Sequence, residues 1–107
     1  MSVQQIDSID ALNVLIDDCE KDNKFLVIKA SASWCGPCKA VKPMYTAMAQ
    51  RNADAVFVTF DVEEQQEVAE QFSISAMPTF IVVKGRDIIK RIEGVDLLSI
   101  QNILDLS

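Results

Sequence analysis

The sequence contains no histidine, and among its 107 residues it has only three glycines, three prolines and three cysteines. Without histidine it lacks the side chain that most often acts as a general base near neutral pH, which is also the commonest metal ligand. Basic residues are scarce too, because ten Lys and Arg stand against sixteen Asp and Glu, a net charge of −6. So acidic a chain offers no phosphate-neutralising surface, which argues against nucleic acids and anionic membranes as partners.

Long apolar runs are also missing. The most apolar stretch, residues 25–28, is far too short to span a bilayer and is followed by Lys29. The sequence does not open with a basic segment followed by an apolar run, so we predict no signal peptide and expect a cytoplasmic protein with reduced thiols. Its length allows one domain, which we assign to residues 1–107.

Apolar spacing predicts strands that first alternate with helices and then end as a hairpin. Ser8 is a suitable N-cap for the first helix. Pro43 is expected to kink the longest helix, whose apolar stripe is predicted to place Val41, Met44, Tyr45 and Met48 on its inward face. Strands are predicted at residues 3–6, 25–31, 55–60, 79–83 and 88–92, and helices at residues 9–21, 35–50, 64–72 and 96–106. This pattern indicates an α/β protein with a mixed sheet of four or five strands and about four helices that flank both faces.

Cys35 and Cys38 stand three positions apart, where a predicted strand passes into a predicted helix. Two cysteines with this spacing at a helix start can form a disulfide with each other. The first has its sulfur beside unpaired backbone N–H groups, at the positive end of the helix dipole. This position favours thiolate over thiol, which predicts that Cys35 is a nucleophile.

A zinc knuckle and a chemically inert pair are the alternatives for Cys35 and Cys38. One such pair, without a second pair or a histidine, cannot complete a four-ligand zinc site within one chain, so we predict no metal. The third cysteine, Cys19, continues the apolar stripe of the first predicted helix. We interpret it as a core residue, with a regulatory or dimer-forming thiol as the alternative.

Residues 34–38 read Trp-Cys-Gly-Pro-Cys, Met-Pro-Thr follows at residues 77–79, and the last glycine of the sequence is Gly94. In these motifs the chain resembles the active site of the thioredoxin family, with Gly94 at the position of the family's late glycine. The resemblance covers essentially the whole chain and implies the thioredoxin fold, with a cis proline at Pro78 that faces the disulfide. The flat, mostly apolar docking surface that it implies consists of Trp34, Gly36, Pro37, Ala76, Met77, Pro78 and Gly94.

The resemblance also implies an activity, the reduction of disulfides in client proteins. Cys35 would attack the client, and Cys38 would resolve the mixed disulfide. A thioredoxin reductase that uses NADPH would restore the dithiol, so the chain itself would bind no cofactor. Expected clients are disulfide-bearing proteins of the peroxiredoxin or reductase kind, and the expected state is a monomer. A non-catalytic binding module and an oxidase or isomerase are the competing functions.

Lys29 is the largest departure from the family pattern, which has a buried aspartate at this position. That aspartate is taken to move the proton of the second cysteine. In one interpretation, Lys29 extends its ammonium to solvent and water moves the proton. In a second, Lys29 is buried with a lowered pKa and acts as the base for Cys38. In a third, it stays charged, paired with Asp61, and stabilises the thiolate.

Overall fold

The structure, a computed structural model, describes residues 3–106. Its elements are β1 (Gln4–Gln5), α1 (Ile9–Lys21), β2 (Phe25–Ser31), α2 (Gly36–Arg51), β3 (Val56–Asp61), α3 (Gln66–Gln71), β4 (Thr79–Lys84), β5 (Asp87–Glu93) and α4 (Leu97–Asp105). The five strands form one sheet in the order β1-β3-β2-β4-β5. β1, β3 and β2 run parallel, and β4 pairs antiparallel with both of its neighbours, β2 and β5. The predicted mixed α/β architecture is therefore confirmed.

Several element boundaries differ from the prediction by one or two residues, among them those of the first strand and the third helix. The first strand pairs only at Gln4–Gln5, although the amide of Ile6 still donates to the carbonyl of Thr59 at 2.8 Å. The third helix begins at Gln66 rather than at residue 64. The carboxylate of Asp61 accepts the backbone N–H groups of residues 63 and 64, so these residues form an Asx-type turn instead of a helical turn.

The central strand β2 is buried on both faces, which explains its nearly continuous apolar sequence. Side chains alternate along a strand, so Leu26, Ile28 and Ala30 join the core that packs against α1. Val27 joins the opposite core, which packs against α2 and α4. Lys29 lies two residues after Val27 in the strand, so its side chain also points to the face covered by α2.

Helix α1 begins as predicted, because the hydroxyl of Ser8 accepts the N–H of Ala11 at 3.0 Å. Helix α2 continues unbroken past Pro43, so the kink expected there stays a prediction. Met44 was predicted to face inward but is 54% exposed. The buried residues of α2 beyond Cys38 are Val41, Tyr45, Met48 and Ala49, so the buried face of the helix is centred nearer to Tyr45 than to Met44.

Tyr45 joins α2 to the sheet. Its hydroxyl lies 2.8 Å from the carbonyl oxygen of Val58 and 3.1 Å from that of Val27, so its one proton is shared between two neighbouring strands. Burial raises the pKa of this phenol well above its ordinary value. The helix that carries the cysteine pair is thereby held directly over β2 and β3.

Within residues 3–106, no helix has the length and apolar character needed to cross a membrane.

Candidate active site

Cys35 is the N-cap residue of α2, and Cys38 lies in the first turn of that helix. The two sulfurs are joined in a disulfide, and the two Cα atoms lie 5.3 Å apart. The N–H of Cys38 donates to the Cys35 sulfur at 3.2 Å. After reduction, this N–H and the N-terminal end of a 16-residue helix favour a negative charge on Cys35. The geometry thus confirms the predicted placement of the pair at a helix start.

The segment before β4 lies against the cysteine pair. Met77 and Val62 pack on the small cluster formed by Ala32, Cys35 and Cys38. The peptide bond between Met77 and Pro78 is cis, as the resemblance implied.

Gly94 ties a second loop to this segment. Its N–H donates to the carbonyl oxygen of Pro78 at 2.9 Å. Its φ of +117° is a conformation that side-chain-bearing residues rarely adopt, which accounts for glycine at this position.

The predicted docking residues vary in exposure around the pair. Trp34 is 63% exposed, and Gly36 and Pro37 are exposed beside it. Pro78 is buried. The remaining residues of the set are half-buried: Ala76, Met77 and Gly94. The exposed indole therefore directly precedes Cys35, which is only 5% exposed, and Cys38 is 3% exposed.

Lys29 lies in the middle of β2, in register with Thr59 on one side and Phe80 on the other. Only 5% of it is exposed, and its Nζ lies 5.6 Å from the centroid of the Tyr45 ring. Burial, and secondarily the nearby Lys42, lower its pKa. The ion pair with Asp61 in the third interpretation is not formed, since within residues 3–106 the side-chain ion pairs are those of Arg86 with Asp17 and Glu20.

The Lys29 ammonium also reaches solvent. Every fully buried side-chain nitrogen or oxygen of the described residues has a hydrogen-bond partner. The Lys29 Nζ has no such partner there, so it must touch the cavities that this residue lines. One of them, of about 240 Å³, is also lined by Cys38 and Asp61. The structure therefore brings Lys29 and Cys38 to the same water-accessible space.

Cys19 lies apart from this site. It is 3% exposed and belongs to the core on the α1 face of the sheet. Burial is the main reason that the pKa of its thiol is raised, although Lys24 acts against the shift. Its interpretation as a core residue is confirmed.

In the part of the chain that the structure describes, no three His, Cys, Asp or Glu side chains come together as a metal site.

Two residues near the site were missed by the sequence analysis. Tyr45 was interpreted only as part of an apolar stripe, but its ring lies next to Lys29. Lys42 was not singled out, yet it lines the cavity that also contains Cys38. Helical spacing was the signal that could have found Lys42, because it lies four residues after Cys38 and so shares its face of α2.

Comparison with known proteins identifies the family. The sequence model described as Thioredoxin matches residues 11–105. Thioredoxin of Echinococcus granulosus is 41% identical over 102 residues, which cover 95% of this chain and 91% of that protein. Thioredoxin NaTrxh from Nicotiana alata has a solved structure that superposes with a TM-score of 0.91 at 30% identity. That likeness covers 98% of this chain and 91% of the Nicotiana chain.

Plant H-type proteins are similar over a shorter span. Thioredoxin H2-2 of Oryza sativa subsp. japonica is 50% identical over 72 residues, 67% of this chain but 54% of the rice protein. Thioredoxin H2 of Arabidopsis thaliana is 46% identical over 59% of its own length. The chain thus spans little more than half the length of these plant relatives. The family model, the fold and the cysteine pair at the start of α2 agree, and the chain belongs to the thioredoxin family.

Proposed function

We propose that this chain is a protein disulfide reductase that works by dithiol–disulfide exchange. The observation that carries the proposal is the Cys35–Cys38 pair at the N-terminus of α2, where the N–H of Cys38 donates to the Cys35 sulfur. Thiolates, not thiols, attack disulfides, and this environment favours the thiolate.

The reaction consists of two exchanges. The Cys35 thiolate attacks one sulfur of a client disulfide, so the client S–S bond breaks and the second client sulfur leaves as a thiolate that takes up a proton. Cys38 then loses its proton and attacks the Cys35 sulfur. This forms the Cys35–Cys38 disulfide and releases the first client sulfur, which is protonated in turn. The client gains two electrons and two protons, and the chain loses them.

The exposed indole of Trp34 and the half-buried Met77 support a docking role for the surface around the pair. Pro78 directly follows Met77, and Gly94 holds the Pro78 carbonyl. In this proposal, an extended client segment pairs with the backbone at Met77, as a strand added to the protein. Trp34, Gly36, Pro37 and Ala76 form the apolar surroundings.

The partners in this proposal are a thioredoxin reductase, which supplies two electrons from NADPH, and disulfide-bearing clients. A solved structure 31% identical to this chain concerns the thiol resolving mechanism of a yeast mitochondrial 1-Cys peroxiredoxin via glutathione/thioredoxin systems. Peroxiredoxin-like clients are therefore part of the proposal. We also propose that the protein is a monomer and that it works in the cytoplasm, because that compartment keeps client thiols reduced.

A Cys38→Ser variant is expected to trap the first exchange. Cys35 still attacks the client, but serine cannot resolve the mixed disulfide, so a covalent complex accumulates. Incubation with oxidised insulin should give an adduct that survives denaturing electrophoresis and disappears with dithiothreitol. The wild type, as the matched control, should reduce insulin and leave no adduct. A binding module without catalysis would give neither result.

We further propose that Lys29 adjusts the redox chemistry of Cys38. The two residues line one cavity, and the Lys29 ammonium has no hydrogen bond or ion pair to another described residue. A positive charge there stabilises the Cys38 thiolate, and therefore the reduced protein. The lowered pKa of Lys29 also supports proton exchange between its amine and Cys38.

Lys29→Asp is therefore expected to lower the reduction potential, by about 30 mV for each tenfold change in the equilibrium constant. The pH profile of disulfide reduction should change as well, because a carboxylate replaces an amine. Redox titration and rate measurements against pH test both effects. Lys29→Met separates the loss of the positive charge from the gain of a negative one. Unchanged potentials and profiles would leave only the interpretation in which water moves the proton.

A further inference from the structure

Two neighbouring cavities lie along the edge of α2 on the β1 side of the sheet. Their volumes are about 240 and 310 Å³, and both are lined by Gln5, Lys29, Lys42 and Thr59. The smaller cavity also contains Cys38 and belongs to the proposed redox site. The larger one is lined in addition by Val3, Tyr45 and Thr46, and the proposed exchange reaction makes no use of it.

The Lys29 side chain is buried except where its ammonium borders these cavities, and it lacks a counter-ion among the described residues. Lys29 and Thr79 are both buried. Among the described residues, Lys29 is the one Lys, Arg, Asp or Glu that is buried. Within residues 3–106, its Nζ donates no hydrogen bond and has no carboxylate within 4.0 Å. A positive charge that is mostly removed from bulk water and has no counter-ion is unfavourable, so a negative ligand in the adjoining cavity would be stabilised.

Lys42 adds a second positive charge at the same cavity. It projects from α2, four residues before Thr46, and is close enough to Lys29 to contribute to the lowering of its pKa. The larger cavity has no acidic residue in its lining. The smaller one contains Asp61 and Glu64 in addition to Lys39, so it is the less favourable place for an anion.

We propose that the larger cavity is a binding site for a small dianionic oxyanion of the phosphate or sulfate type. Lys29 would approach it from the sheet and Lys42 from the helix, each as a charge-assisted donor. The amide of Gln5 and the hydroxyl of Thr46 are further donors in the lining. The Thr59 hydroxyl already donates to the Lys29 carbonyl at 3.1 Å, and this hydrogen bond fixes the Thr59 side chain in the cavity wall.

The test is a titration of the ¹⁵N-labelled, oxidised full chain with sodium sulfate, with chloride added to hold the ionic strength constant. We expect saturable amide shifts centred on Gln5, Lys29, Lys42 and Thr46. Lys42→Gln should weaken the apparent affinity by about tenfold, which is the loss expected for one charge-assisted contact. Lys29→Met should weaken it at least as much. Lys21→Gln, which changes an exposed lysine at the end of α1, should leave it unchanged.

Shifts that rise linearly without saturation would overturn the proposal, and so would equal shifts in wild type and Lys42→Gln. Lys42 is exposed, so its variant folds and keeps the test decisive even where a change at Lys29 perturbs the core. A parallel titration with inorganic phosphate should give the same pattern, and one with chloride alone should not. Binding is measured on the oxidised chain without a client, so its outcome is independent of whether the chain reduces disulfides.

Discussion

Cys35→Ser is expected to abolish the reduction of insulin by this protein, with a loss of about a thousandfold or more. A serine hydroxyl stays protonated at neutral pH, and the N–H of Cys38 together with the α2 dipole cannot make it a useful nucleophile. Cys38 does not replace it, because that residue lies inside the first turn of α2, whereas Cys35 holds the N-cap position where the N–H of Cys38 donates to its sulfur. Turbidity of insulin in the presence of dithiothreitol measures the rate.

Cys19→Ala is the matched control for this result. Cys19 packs in the core on the α1 face, whereas the cysteine pair belongs to a separate cluster with Ala32. The control variant should therefore reduce insulin at nearly the rate of the wild type. A Cys35→Ser protein that folds and keeps a substantial part of the activity would contradict the assignment of the nucleophile.

Phe80→Ala is expected to lower the free energy of unfolding by about 3–5 kcal/mol. Phe80 is fully buried in β4, where it pairs with Lys29 in β2 and with Ile92 in β5. Its ring centroid lies 5.4 Å from that of Tyr45, so its loss leaves a cavity below the residue that fixes α2. Urea unfolding followed by circular dichroism measures the change.

The corresponding control is Ile89→Ala on the neighbouring strand β5. Ile89 is 45% exposed, so its truncation should cost far less, about 0.5–1 kcal/mol. Similar losses at the two positions would show that α2 does not depend on packing at Phe80. Because small domains are stable by only about 5–15 kcal/mol, the Phe80 variant tests how much of that stability resides on the α2 face.

Local pattern was sufficient for most of the fold. The β2 strand was predicted with both of its ends, because its apolar run is bounded by polar residues and followed directly by the cysteine loop. The start of α3 was missed, since the Asp61 carboxylate binds the amides that would have begun it. Met44 was misassigned because the apolar stripe does not show which part of α2 faces the sheet.

The surroundings of Lys29 could not be predicted in the same way. The sequence showed that a lysine stands inside a buried strand, but three interpretations remained. What distinguishes them comes from distant segments: the ring of Tyr45, the charge of Lys42 and, within residues 3–106, the lack of an ion pair with Asp61. A helix that crosses over a strand brings these groups together, and spacing along one segment carries no information about that crossing.

Because Cys19 is buried, the labelling rate of its thiol can report on opening motions of the native protein. In the oxidised chain, Cys35 and Cys38 are bonded and Cys19 carries the one free thiol of the three cysteines. A thiol reagent reaches it when the core around it opens, by movement of α1 away from the sheet or by global unfolding. The labelling rate of the oxidised protein therefore reports how often such openings occur, without any engineered probe.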